Sequence, residues 1–111
     1  MGLYLSSLLS SWKGGKGILS QETIKEMFRV QNPGVALDLD FSVGLTWWIV
    51  DFKSMPGEFA VGHGGDLDPY HALTFILPDR DLAVHIMVNG DYGVGSFTYS
   101  EILAEAFRDF S

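Results

Sequence analysis

Four consecutive residues combine a titratable side chain with a bare backbone: His63-Gly64-Gly65-Asp66, with Gly62 just before them. An imidazole can take up and return a proton near neutral pH, and it can also ligate a metal. Glycine packs nothing and loses much backbone entropy on folding. Three glycines around one histidine therefore imply that something approaches that backbone closely. The same residues also fit a glycine-rich turn with a surface histidine, because glycine is a default turn residue. A second pattern is Ser10-Ser11-Trp12-Lys13. Residues three apart share a helix face, so Lys13 could take the Ser10 proton and leave a nucleophile. A serine activated in this way gains from the start of a helix, where the dipole favours negative charge. Ser10 instead lies near the end of a helical pattern that runs into Gly14-Gly15, so it is not taken as a nucleophile.

The other histidines read differently. His71 opens a strand-like run beside Tyr70, at its rim, and His85 sits in an apolar run as a hydrogen-bonded core residue. Separations of eight and fourteen residues among His63, His71 and His85 match no zinc spacing, so no metal site is expected. There is no cysteine, which excludes disulfides, thiolate metal sites and a cysteine nucleophile. The glycine-rich stretch Asn89 to Gly95 lacks the Gly-Lys-Ser/Thr that would make it a phosphate cradle. No cofactor is called for. A net charge of −7 argues against nucleic acid and anionic membrane surfaces, both of which need a basic patch. No apolar run nears the roughly 18 residues that span a membrane, and no basic signal-peptide start is present.

The elements that must position these residues follow from periodicity. The 111 residues, 47% of them hydrophobic, suit one domain, residues 1–111, with a real core. Leu5, Leu8, Leu9 and Trp12 recur at helical spacing over residues 3 to 13, with Ser6, Ser7, Ser10 and Ser11 largely turned away. Residues 21 to 30 form a second helix, capped by Ser20 and stapled by Leu19 against Ile24, that Pro33 brings to a close. Gly44 to Phe52, Glu58 to Gly62, His71 to Leu77 and Leu82 to Val88 read as strands. Asp66 to Pro69 is expected to be a loop, and Pro78 to Asp81 a tight turn between the last two strands. Leu82 to Val88 looks buried on both faces, as a central strand. A last helix starts near Ser96 or Ser100, with Ile102, Leu103, Ala106, Phe107 and Phe110 on its apolar face.

Taken together, Gly44-Leu45-Thr46-Trp47-Trp48, Gly62-His63-Gly64-Gly65, Phe75 to Val84 and Val88-Asn89-Gly90 resemble the C-terminal part of the class C β-lactamase-like serine hydrolases. That family includes β-lactamases, D-Ala-D-Ala carboxypeptidases, D-aminopeptidases and esterases. Leu8 to Ser20 is similar to the family segment before the helix of Gln21 to Val30, so the resemblance covers nearly the whole chain. It implies that His63-Gly64-Gly65 is the His-x-Gly triplet on the strand lining the active site. His63 would hydrogen-bond the substrate or a proton relay, and Gly64 and Gly65 would keep the strand open to substrate. The backbone N–H of Asp66 falls where the family supplies an oxyanion-hole donor. The family's catalytic Ser-x-x-Lys and Tyr-x-Asn lie upstream of the triplet; Tyr99-Ser100-Glu101 follows it and lacks the asparagine.

The expected architecture is α+β: an antiparallel sheet of three or four strands, with His63's strand towards one edge, packed by the N-terminal helices and a C-terminal helix. This is part of a β-lactamase/transpeptidase-like fold, with one edge of Leu82 to Val88 left for the family's N-terminal strands. The expected role is the C-terminal segment of a serine hydrolase acting on a small-molecule or peptide substrate, inactive without the N-terminal part. The alternatives are a non-catalytic module that binds a peptide or partner chain through an open sheet edge, and an enzyme completed by a second polypeptide.

Overall fold

The structure, a computed structural model, describes residues 1–35, 41–52, 55–90 and 100–110. The glycine-rich stretch from Asp91 to Gly95, Ser96, and Lys53-Ser54 between the first two expected strands lie outside them. Helix α1 (Gly2–Trp12) and helix α2 (Gln21–Phe28) come first. Five strands follow: β1 (Ser42–Val43), β2 (Trp48–Val50), β3 (Ala60–Leu67), β4 (Tyr70–Leu77) and β5 (Leu82–Asn89). Helix α3 (Ser100–Asp109) closes the order. The strands form one antiparallel sheet in the order β1-β2-β3-β4-β5, an α+β architecture. The expectation of three or four strands missed the two-residue β1. The strand that carries His63, β3, is expected towards one edge but is the middle strand, because β2 and β1 pair beyond it.

Helices cover both faces of the sheet. On one side Leu5, Leu8 and Leu9 of α1 and Ile24 and Phe28 of α2 pack on Trp47, Val61 and Ile76. On the other, Leu103 and Phe107 of α3 pack on Phe52, Ala60, Leu73, Phe75 and Leu77. Burying each such aliphatic or aromatic side chain stabilises the fold by about 1.5–3 kcal/mol. Ile102 and Phe110, expected on the same stripe, are instead exposed. The helix turns only the Leu103–Phe107 line, one i,i+4 row, towards the sheet.

The loop between α1 and α2 is tied down by α1's serines. Ser7 Oγ accepts from Ile18 N–H at 2.8 Å, Ser11 Oγ accepts from Leu19 N–H at 3.2 Å, and Ser10 Oγ donates to the Lys16 carbonyl at 2.9 Å. Ser11 is fully buried, against the expectation that the serines turn outward. Gly17 lies so close that an added Cβ would overlap the Ser11 hydroxyl and the Ser7 carbonyl. Gly17→Ala should therefore cost about 1–3 kcal/mol, seen as a lower urea midpoint. Gly2→Ala, where a Cβ meets nothing within 4 Å, should cost nothing.

Ser20 caps α2 as expected, its Oγ accepting from Thr23 N–H at 3.1 Å. The helix stops at Phe28, two residues short of the expected end. Arg29 turns extended and forks onto Glu26 at 2.9 and 2.7 Å, which holds that carboxyl down at about 2. The chain then pairs Gln31 N–H with the Val43 carbonyl at 2.7 Å. The expected strand over Gly44 to Phe52 is broken. Thr46 takes a left-handed φ of 68° and Gly44 N–H bonds the Trp47 carbonyl at 2.7 Å, so a tight turn joins β1 to β2. Pro78–Arg80 forms a single 3-10 turn, and left-handed Asp81 leads into β5. That turn holds the end of α1: Trp12 Nε1 donates to Asp79 at 2.9 Å and Lys13 Nζ to Asp81 at 2.6 Å.

Candidate functional site

The His-Gly-Gly stretch lies inside a strand, not at the end of one. β3 runs on through Leu67, with His63 opposite Thr74, Gly64 opposite Leu73, Gly65 opposite Ala72 and Asp66 opposite His71. The expected loop from Asp66 thus shrinks to Asp68-Pro69, whose peptide bond is cis. Seven consecutive pairs with β4 offset the cost of the glycines; pairing, not propensity, sets the strand's length. On its other side β3 is matched by β2 only over Ala60, Val61 and Gly62. Among the described residues, no strand lies opposite His63 to Leu67 on that side.

The four site residues differ in exposure. His63, Gly65 and Asp66 are exposed and Gly64 is half-buried. Gly62 is buried, and a Cβ there would overlap the Phe75 ring, so it serves packing and does not line the opening. The indole of Trp48, the first residue of β2, stacks on the His63 imidazole with centroids 5.2 Å apart and planes inclined by 16°. This contact restrains the ring where β2 stops covering β3. Asp66 accepts from His71 Nδ1–H, or pairs with the imidazolium, at 2.7 Å; the His71 side chain is only 10% exposed, deeper than a rim position.

Ser10 and Lys13 do not act together. Ser10 Oγ bonds the Lys16 carbonyl and Lys13 Nζ bonds Asp81. Both groups hold the α1–α2 loop and the β4–β5 turn in place.

His85 hydrogen-bonds Thr74 Oγ1 through Nδ1 at 2.7 Å, and its Nε2 is buried without a partner. Burial, with help from the positive amino terminus, lowers its pKa from 6.5. The unfolded chain therefore takes up a proton first as the pH falls, and stability drops below about pH 6.5. The thermal midpoint should fall between pH 7 and pH 5, and fall less in His85→Gln.

β5 is the outermost strand among those described, with its residues mostly half-buried and Met87 75% exposed. The expectation of a central strand buried on both faces is corrected. Its apolar run reflects helix packing above and below, and among the described residues no strand pairs on its far side. No group of three His, Cys, Asp or Glu side chains able to hold a metal occurs among the described residues, and none of their helices is long and apolar enough to cross a membrane.

The reading from sequence missed Trp48 as a partner of His63 and missed the Thr74–His85 pair. The second was within reach. Leu77 and Leu82 flank the turn as partners, and counting three residues outwards from each places Thr74 opposite His85.

A family model described as Beta-lactamase matches residues 3–106. Comparison with curated proteins and with solved structures returns no match. The match spans both helical layers and the whole sheet, including the open half of β3, and on that ground the chain belongs to the beta-lactamase family.

Proposed function

We propose that this chain forms one wall of the active site of a class C β-lactamase-like serine hydrolase, as that enzyme's C-terminal segment. The reaction is acyl transfer from an amide or ester. The observation that carries the reading is the exposed His63-Gly64-Gly65-Asp66 run in the half of β3 that β2 leaves uncovered. A serine oxygen from outside these 111 residues attacks the acyl carbon. The carbonyl oxygen gathers the negative charge and is received by the Asp66 N–H, and the amine or alcohol leaves with a proton. Water then adds to the acyl-serine and frees the acid. Each oxyanion donor of this kind is typically worth about 10²–10³ in rate. His63 hydrogen-bonds the substrate or the proton relay, while Gly64 and Gly65 keep the wall low enough for the substrate to lie along it.

A second reading rests on β5, whose eight residues include no Lys, Arg, Asp, Glu or Pro to guard an outer strand. A non-catalytic module could add a peptide or partner strand at such an edge. An assay of the complete polypeptide separates the two. Turnover of a p-nitrophenyl ester, a chromogenic β-lactam or a D-Ala-D-Ala peptide supports the hydrolase. No turnover of any of them, with peptide-dependent amide protection along β5, supports the module.

A further inference from the structure

Successive residues of a strand face opposite sides of the sheet, so the register orders the face packed by α1 and α2. Val61, Ile76 and Ala83 form a cross-strand row within the core under those helices. The next row on that face is polar: His63, Thr74 and His85. Beyond it come Gly65, Ala72 and Met87, and then Leu67, Tyr70 and Asn89. The two small residues of the third row make a floor, and a Cβ at Gly65 would meet nothing within 4 Å. The larger ones stand around it with much surface bare: Leu67 76%, Tyr70 60% and Met87 75% exposed. A cavity of about 490 Å³ lies here, lined by those six residues and their strand neighbours Asp66, His71 and Val88. Its size falls within the roughly 300–1,000 Å³ of small-molecule sites.

We infer that this cavity takes an uncharged apolar group of the substrate, an aryl or branched alkyl group on the acyl donor. The inference rests on the hydrolase reading of the same wall. Three features carry it. The cavity shares Gly65 and Asp66 with the His63–Asp66 run, so a substrate lying along β3 reaches both. Its bare side chains are apolar or aromatic, and filling it removes apolar surface from water. No lysine or arginine lines it; Asp66 and His71 do, with His71 Nδ1 already taken up by Asp66 at 2.7 Å, and Asp68 is close in the chain. A carboxylate entering here would lose hydration without gaining a cation.

Binding of phenylacetamide and of phenylacetate to the 111-residue chain tests this, since both have the same ring and neither needs a nucleophile. Amide shifts are followed by NMR. The expected result is saturable shifts at Gly65, Leu67, Ala72 and Met87 with phenylacetamide. The dissociation constant should be millimolar, as suits a ligand of about ten non-hydrogen atoms. Phenylacetate should bind at least fivefold more weakly. Met87→Lys, at an exposed position, should narrow or reverse that ratio, and Ala72→Ile should abolish binding while the spectrum stays dispersed. Equal or tighter binding of phenylacetate overturns the inference, as do shifts elsewhere or no shifts at 50 mM. Shifts at the same amides on concentrating the protein alone would show that a second copy covers this face, and would also overturn it. Failure here leaves the hydrolase reading standing, because that reading is decided by turnover and covalent labelling.

Discussion

In an enzyme completed with its nucleophile, His63→Ala is expected to lower the acylation rate about a hundredfold or more and to leave the thermal midpoint nearly unchanged. The first half follows from chemistry. A positioned side chain that moves a proton, or holds the group that does, is typically worth about 10²–10⁴. The second half follows from placement. His63 is exposed, its contact is the Trp48 stack, and removing it opens no cavity in either helical layer. Surface changes of this kind usually stay within about 0.5 kcal/mol. Single-turnover acylation and a thermal melt on the same samples check both halves. A well-folded mutant that acylates at the wild-type rate would make His63 structural. Trp48→Leu adds a control: it keeps the imidazole but removes the surface it rests on, so a smaller loss is expected.

Much of the scaffold was legible because local signals there agree with the fold. Ser20, Leu19 and Ile24 announce the start of α2: the cap forms at the exposed helix end, and Leu19 and Ile24 join the core beneath it. Pro78 to Asp81 announces the β4–β5 turn, since Pro fixes one φ and Asp81 tolerates the left-handed conformation. Where the reading failed, tertiary pairing overruled propensity. The aromatic run Trp47-Trp48 hid a turn at Thr46, a residue whose branched side chain disfavours positive φ. The glycines of β3 suggested a strand end, yet the matching run of β4 holds them in register. Burial along β5 suggested a central strand, but helices on both faces bury an edge strand as well.

The site was legible in part. The bare backbone around His63 singled out a stretch that the structure leaves open. The Trp48 stack was not readable, because it depends on the register of β2 on β3, Trp48 opposite Gly62, across a connection too long to fix that register from sequence. The Ser10–Lys13 pattern illustrates the converse. Its spacing suits a nucleophile and base, yet both side chains are committed to loop and turn contacts. Deciding between those roles takes the partners, not the spacing.

The central claim is a division of labour: this chain supplies the His63–Asp66 wall and no nucleophile. Covalent labelling tests it most directly. The 111-residue chain is incubated with a fluorophosphonate, and separately with a penicillin, and read by intact mass. The same is done for the polypeptide completed with an upstream Ser-x-x-Lys segment. The account predicts no adduct on the isolated chain and one adduct on the completed protein, carried by a serine of the added segment. An adduct on Ser10 of the isolated chain, abolished by Lys13→Ala, would contradict it.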